Sequence, residues 1–183
     1  GEYLGEFHGD DQVLVVLENG EFCTTTSDAT NHYDPNILRI EKFDPDKVWT
    51  VALYDAAQGY PYLKRFVFEV GSRKQRFLGD NPDSRLLLIT DTSYPRIEVA
   101  FGEGDSFREP MVVNAAEFIA VKGFKAKGKR LTTYSVATIN ELEPLRQEDD
   151  SVVEDDSSVE TDTLRDSNVD KPEDSASGQM TLF

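Results

Sequence analysis

Apolar residues in this chain gather in short runs that recur along its first 145 positions. The runs at 13–17, 48–54, 86–90 and 118–121 are strand-length blocks of Val, Ile, Leu, Trp, Tyr and Phe, and they start about 35, 38 and 32 residues apart. Such residues favour the pleated, half-buried surface of a sheet. Each run is followed by turn chemistry and a second strand-like run, at 22–25, 63–70, 96–101 and 130–134. The repeating unit is therefore expected to be a hairpin. The pair Asn19-Gly20 predicts a tight two-residue turn, because both central residues of that turn must reach positive φ. The segments 57–59, 92–95 and 123–128 are its expected equivalents. Additional strands at 37–40 and 111–113 bring the expected count to about ten to twelve. Helical periodicity is nearly absent. Only 137–142 predicts a helical turn or two, stopped by Pro144.

This pattern predicts an all-β fold: a β-pinwheel or propeller-like array of three to four hairpin blades, each of which buries its faces only against its neighbours. That is few for a closed ring, so an open arc, or further blades before Gly1, is expected. A β-sandwich is the rival architecture.

Charge divides the chain. Residues 147–183 carry twelve acidic and two basic side chains, which leaves 23 acidic and 17 basic for residues 1–146; the net charge of −16 splits into −10 and −6. The tail 147–183 is expected to be disordered, since it has too little apolar surface to offset the entropy of ordering its backbone. Residues 1–146 are enough for one domain with a real core. No apolar run approaches the roughly 20 residues of a membrane span, and residues 1–10 lack the basic and apolar parts of a leader. The expectation is a cytoplasmic, nucleoid-associated protein with no membrane partner. The single cysteine, Cys23, excludes an internal disulfide and fits a reducing compartment.

Candidate chemistry is sparse. His8, His32 and Cys23 supply neither a zinc set nor a Cys-His nucleophile pair, and the chain alone is expected to be non-catalytic and free of cofactor. The string Gly79-Asp80-Asn81-Pro82-Asp83 lacks the spacing of a calcium loop and reads as a turn. The segment 123–130 follows the phosphate-binding P-loop pattern until Arg130, which stands where a Ser or Thr would ligate Mg²⁺; strand-like residues follow where a helix is needed. The same segment reads better as a basic loop. Lys122, Lys125, Lys127, Lys129 and Arg130 place five positive charges in nine residues, with Phe124 among them and Gly123 and Gly128 allowing close backbone approach. Two further groups are Lys64-Arg65 and Arg73-Lys74-Gln75-Arg76. Aligned along one rim of an array, these side chains would contact the phosphates of double-stranded DNA, which gives affinity and register without reading sequence. The rival reading is a scatter of solubilising charges. A net charge of −6 weighs little against local fields.

The string FIAVKGFKAKGKRLTTYSVATINELEP at 118–144 closely resembles the end of the C-terminal domain of the topoisomerase IV A subunit of Bacteroides-like bacteria, within the gyrase A and topoisomerase IV A family. VLVVLENGEFCTTTSD at 13–28 resembles that family's blade opening, and the resemblance covers about 7–144. It implies a β-pinwheel that guides or bends duplex DNA on its outer edge. It also implies a role in ATP-dependent relaxation, decatenation and chromosome segregation, with the B subunit and an A-subunit homodimer as partners through regions outside this chain. The catalytic tyrosine, the ATPase, magnesium and ATP would then act elsewhere in the complex. No stretch reproduces the box of Gln, basic residues and glycines of gyrase A subunits, which favours topoisomerase IV over gyrase-type supercoiling. The chain ends in Gln179-Met180-Thr181-Leu182-Phe183, which resembles the short peptide by which bacterial replication proteins dock on the sliding clamp. On that alternative reading, the partner-binding residues are Gln179, Met180, Leu182 and Phe183: Leu182 and Phe183 fill an apolar pocket, Gln179 hydrogen-bonds at its edge, and the domain is a protein-interaction propeller.

Overall fold

The computed structural model of the chain describes residue 6 and residues 11–26 and 35–145. Contacts divide the chain between Pro144 and Leu145. Within the first unit the strands are β1 (Gln12–Leu17), β2 (Glu21–Thr26), β3 (Ile37–Lys42), β4 (Trp49–Asp55), β5 (Tyr60–Phe66), β6 (Gln75–Arg76), β7 (Arg85–Thr90), β8 (Arg96–Phe101), β9 (Met111–Asn114), β10 (Val121–Lys122), β11 (Lys129–Arg130) and β12 (Val136–Leu142). Between them lie a 3-10 turn at Glu103–Asp105 and one four-residue helix, α1 (Ala115–Phe118).

Among the described residues these strands form three sheets, ordered β3-β1-β2-β6, β7-β4-β5-β10 with β11 also on β5, and β12-β8-β9. The expected all-β, partial pinwheel-like array is what the chain builds, with three units and no closure into a barrel. Each sheet is centred on a hairpin: β1-β2, β4-β5 or β8-β9. Each carries one more strand outside the first arm of that hairpin: β3, β7 or β12. In the first two sheets a segment also returns from beyond the next hairpin to cover the second arm. Thus β6 comes back to β2, and β11 to β5, both antiparallel. The two returns are anchored alike, with the Phe77 amide donating to the Gly20 carbonyl at 2.9 Å and the Leu131 amide to the Pro61 carbonyl at 2.8 Å.

Strand alternation explains the core. In β4, Trp49, Val51 and Leu53 face the first sheet and join Leu14, Val16, Phe22, Phe66, Phe68, Phe77 and Phe124 in one buried cluster. Ala52, together with Leu63 of β5, faces the third sheet and packs with Ile97, Val99, Val113 and Ile139. The middle sheet is thus covered on both sides, so residues 49–53 are all buried and read as a nearly continuous apolar run with Thr50 within it. Each fully buried side chain of this size contributes about 1.5–3 kcal/mol relative to exposure. The aromatic rings of the first cluster meet at centroid distances from 4.5 to 6.3 Å, largely tilted or edge-on, as the ring quadrupole prefers.

The crossings between sheets are locked by charge. Lys47, just before β4, donates to Glu41 at 2.7 Å and to Asp91 at 2.8 Å, while Arg39 of β3 reaches the same two carboxylates at 2.9 and 3.3 Å. Both cations lie over the Trp49 ring. Burial opposes ionisation of Asp91, but the Lys47 hydrogen bond and the Lys47 and Arg39 charges outweigh it and hold the carboxyl below its usual range.

Several sequence expectations are corrected. The run 86–90 does not open a blade: β7 pairs with β4, and β8 opens the third sheet. Residues 91–95 therefore carry the chain from one sheet to the next instead of closing a hairpin, a distinction invisible to an alternation pattern that marks strands but not their partners. The expected helical turn at 137–142 is β12, which registers against β8 from Val136 to Leu142; pairing overrides a weak local preference. Of the expected strand at 118–121, Phe118 ends α1, Ile119 is already extended, and pairing in a sheet begins only at Val121–Lys122. The first turn has three residues instead of two: Gly20 donates back to the Leu17 carbonyl and alone carries positive φ, 88°.

Candidate nucleic-acid interface

The basic loop is held on the outer edge of β5. Its arms pair there in opposite senses, β10 parallel to Arg65 and Phe66 and β11 antiparallel to Leu63 and Tyr62. A turn closed by the Ala126 amide on the Gly123 carbonyl lies between them. Two features fix the loop against the sheet. Phe124 is buried, edge-on to Phe22 at 4.9 Å, so the loop contributes a plug to the first cluster. Gly128 sits at φ +93°, where a Cβ would lie 2.6 Å from the Leu63 carbonyl oxygen, so only glycine lets the backbone come this close to β5.

A third fastening comes from a residue that sequence placed among the surface cations. Lys64 is 4% exposed and directs its ammonium inward, donating to the Phe124 carbonyl at 2.6 Å and the Ala126 carbonyl at 3.0 Å. Burial pushes its pKa down to about 8, opposed by the Asp55 charge. Lys64 is thus withdrawn from the surface because strand alternation points it into the gap between two sheets. Its partners are carbonyls of the loop. Arg65 is half-buried, donates to the Thr50 hydroxyl at 3.2 Å, and has its pKa lowered by burial.

With these fastenings inside, the remaining cations of the loop stand out. Lys122, Lys125, Lys127, Lys129 and Arg130 are all exposed. Aromatic rings support four of them: Lys129 lies over Phe118 at 4.4 Å, Arg130 over Tyr60 at 5.0 Å, Lys125 over Phe124 at 5.8 Å and Lys127 over Tyr62 at 6.0 Å. The second basic group divides. Arg73 and Lys74 are exposed. Arg76 turns back onto its own loop and donates to the carbonyls of Gly79, Asn81 and Ser84, each at 2.8 Å. Gln75 and Arg76 nevertheless meet Lys125 and Lys127 around one cleft of about 700 Å³, shared with Asp55 and Asp80. The fold thus brings two of the three sequence groups to one side of the array, with Lys64 as its buried floor. His8, His32, the tail 147–183 and the residues Gln179, Met180, Leu182 and Phe183 lie outside the described residues.

The family model of the topoisomerase C-terminal domain of Bacteroidota matches residues 1–143, the whole three-sheet array. The chain belongs to this family. Among curated proteins, none matches it.

In this topoisomerase C-terminal domain, sequence reading passed over a second group of side chains. Arg85 lies over the Tyr54 ring at 4.6 Å, and Arg108 over the Tyr134 ring at 3.4 Å. Together with Arg130 on Tyr60, they give three arginine–tyrosine pairs from segments distant in sequence. No spacing could have announced them. The only local hint was a tyrosine near each of three strand ends or turns.

Proposed function

We propose that this domain is the non-catalytic, DNA-guiding C-terminal domain of a topoisomerase IV A subunit, holding duplex DNA on its cationic loop while relaxation and decatenation proceed elsewhere in the enzyme. The observation that carries the reading is the loop 122–130, whose five exposed cations are presented by a backbone fastened at Phe124, Gly128 and Lys64. Side chains displayed on a fixed backbone lose less freedom on meeting phosphate than they would on a mobile one. A fixed row of lysines suits a backbone of regular charge spacing and carries no means of reading bases. Family membership supports the accessory role.

The test is a gel shift of the full chain on long duplex DNA, alongside a variant with Lys125, Lys127, Lys129 and Arg130 changed to Glu. Wild-type binding should weaken steeply with added salt, and the variant should bind at least tenfold more weakly. Equal binding by both proteins would refute the loop as the contact.

A further inference from the structure

On the flank of the middle sheet facing the third sheet lies a second cleft, of about 620 Å³, within the range of small-ligand sites. Its walls carry Tyr54 and Tyr60 from the β4-β5 hairpin, Arg85 from β7, Tyr134, and Thr138 and Asn140 from β12. The floor is apolar, with the buried Ile139 and the half-buried Leu87. Tyr54 and Tyr60 stack with Arg85 and Arg130 as described, and Tyr134 is backed by Arg108. Arg108 is itself fixed by Asp105 at 3.0 Å, and Asp105 also accepts the Ser135 amide at 2.9 Å. Each of the three rings is therefore held against a guanidinium, and the Asp105 charge is answered. Glu103 is the acidic residue that remains at the wall.

Three features converge here: flat aromatic rings, guanidinium groups beside them, and hydroxyl and amide groups along β12. A protein segment would use the rings, and a free phosphate the arginines. An unpaired nucleotide uses all three, because its base stacks, its phosphate pairs with arginine and its edge hydrogen-bonds. Duplex DNA cannot offer the face of a base, since its bases are stacked on one another. We infer that this cleft binds unpaired nucleotides of a single strand, with bases stacking against Tyr134 and its neighbours and a phosphate meeting Arg85. This site is distinct from the loop 122–130 and does not depend on duplex binding. Arg130 belongs to that loop and stacks on Tyr60, so the test leaves it intact.

The test uses fluorescence anisotropy on the full chain with three probes of about twelve nucleotides: oligo(dT), oligo(rU) and an abasic oligonucleotide of equal phosphate number. Oligo(dT) or oligo(rU) should bind about tenfold more tightly than the abasic strand, and whichever is tighter identifies the source of the base. Tyr134→Ala should bring binding down to the abasic level, and Tyr134→Phe, which keeps the ring, should restore it. Tyr134 is 42% exposed, so the substitution should leave the fold intact; a circular dichroism melt checks this, and Arg85→Gln offers a second probe with the same expected loss. Equal affinity for base-bearing and abasic strands, or wild-type binding by Tyr134→Ala and Arg85→Gln, would overturn the proposal. A Lys122/Lys125/Lys127-to-Glu variant that loses duplex but keeps oligo(dT) separates failure at the loop from failure at this cleft.

Discussion

The segments 75–84 and 121–131 hold equivalent stations in successive sheets, and they treat positive charge in opposite ways. Both return to the second arm of the preceding hairpin, and in both a buried apolar residue follows the returning strand, Phe77 after β6 and Leu131 after β11. In the first, the lock is internal: Arg76 closes the loop on three of its own carbonyls. In the second, the lock is lent by the scaffold, since Lys64 of β5 supplies the ammonium that gathers the loop carbonyls. A segment that must hold itself uses its arginine inward, whereas one held from outside keeps its cations for the solvent. Stability and charge display are thus separated in space, and substitutions can separate them in measurement.

The largest expected effect comes from removing the plug of the second loop. Phe124→Ala should destabilise the domain by about 3–5 kcal/mol, the usual cost of truncating a buried phenylalanine, seen as an early thermal melt. A wild-type melt would show that the loop is not packed into the first cluster. Next comes the internal lock. Arg76→Ala leaves three carbonyls without their charged donor and should cost about 2 kcal/mol, while duplex affinity of the folded variant stays within about twofold. If affinity falls as far as with charge reversal in the second loop, the two segments are not specialised as described.

The smallest effect sharpens the role of Lys64. Its pKa of about 8 lies below the unfolded value of 10.5, so between these limits the unfolded chain binds more protons and stability rises with pH. The penalty of burying the charge is fully present below pH 8 and fades above it. Urea melts from pH 7.5 to 10 should show this rise in the wild type relative to Lys64→Met, which has no such proton to lose, by on the order of 2 kcal/mol. Parallel profiles would place the Lys64 ammonium in water.

Much of this was legible from residues alone. Nearly continuous apolar runs such as 48–54 identified strands, and the two-sided burial of residues 49–53 explains why they are so apolar. The glycines at turns were legible too, because positive φ leaves few other choices; Gly20 and Gly59 occupy that region. What local pattern could not carry was partnership. β7 and β8 read as one hairpin because their turn chemistry is adequate, yet they belong to different sheets. Lys64 read as a surface cation because a lysine beside an arginine usually is one; only the arrival of the loop from residues 124–126 makes its inward position tolerable. Arg76 escaped for a similar reason, since its carbonyl partners lie in the turn that follows it. The tyrosine cleft needed four separate segments to be set side by side.

The returning strands carry one more implication, for assembly. The first sheet is completed only by residues made after the second hairpin, and the second only by residues made after the third hairpin. Neither of these two sheets can therefore mature alone as the chain leaves the ribosome, and closures over such long stretches slow folding and make it more cooperative. The same interleaving means that a tear starting at one sheet must loosen its neighbour before it can spread.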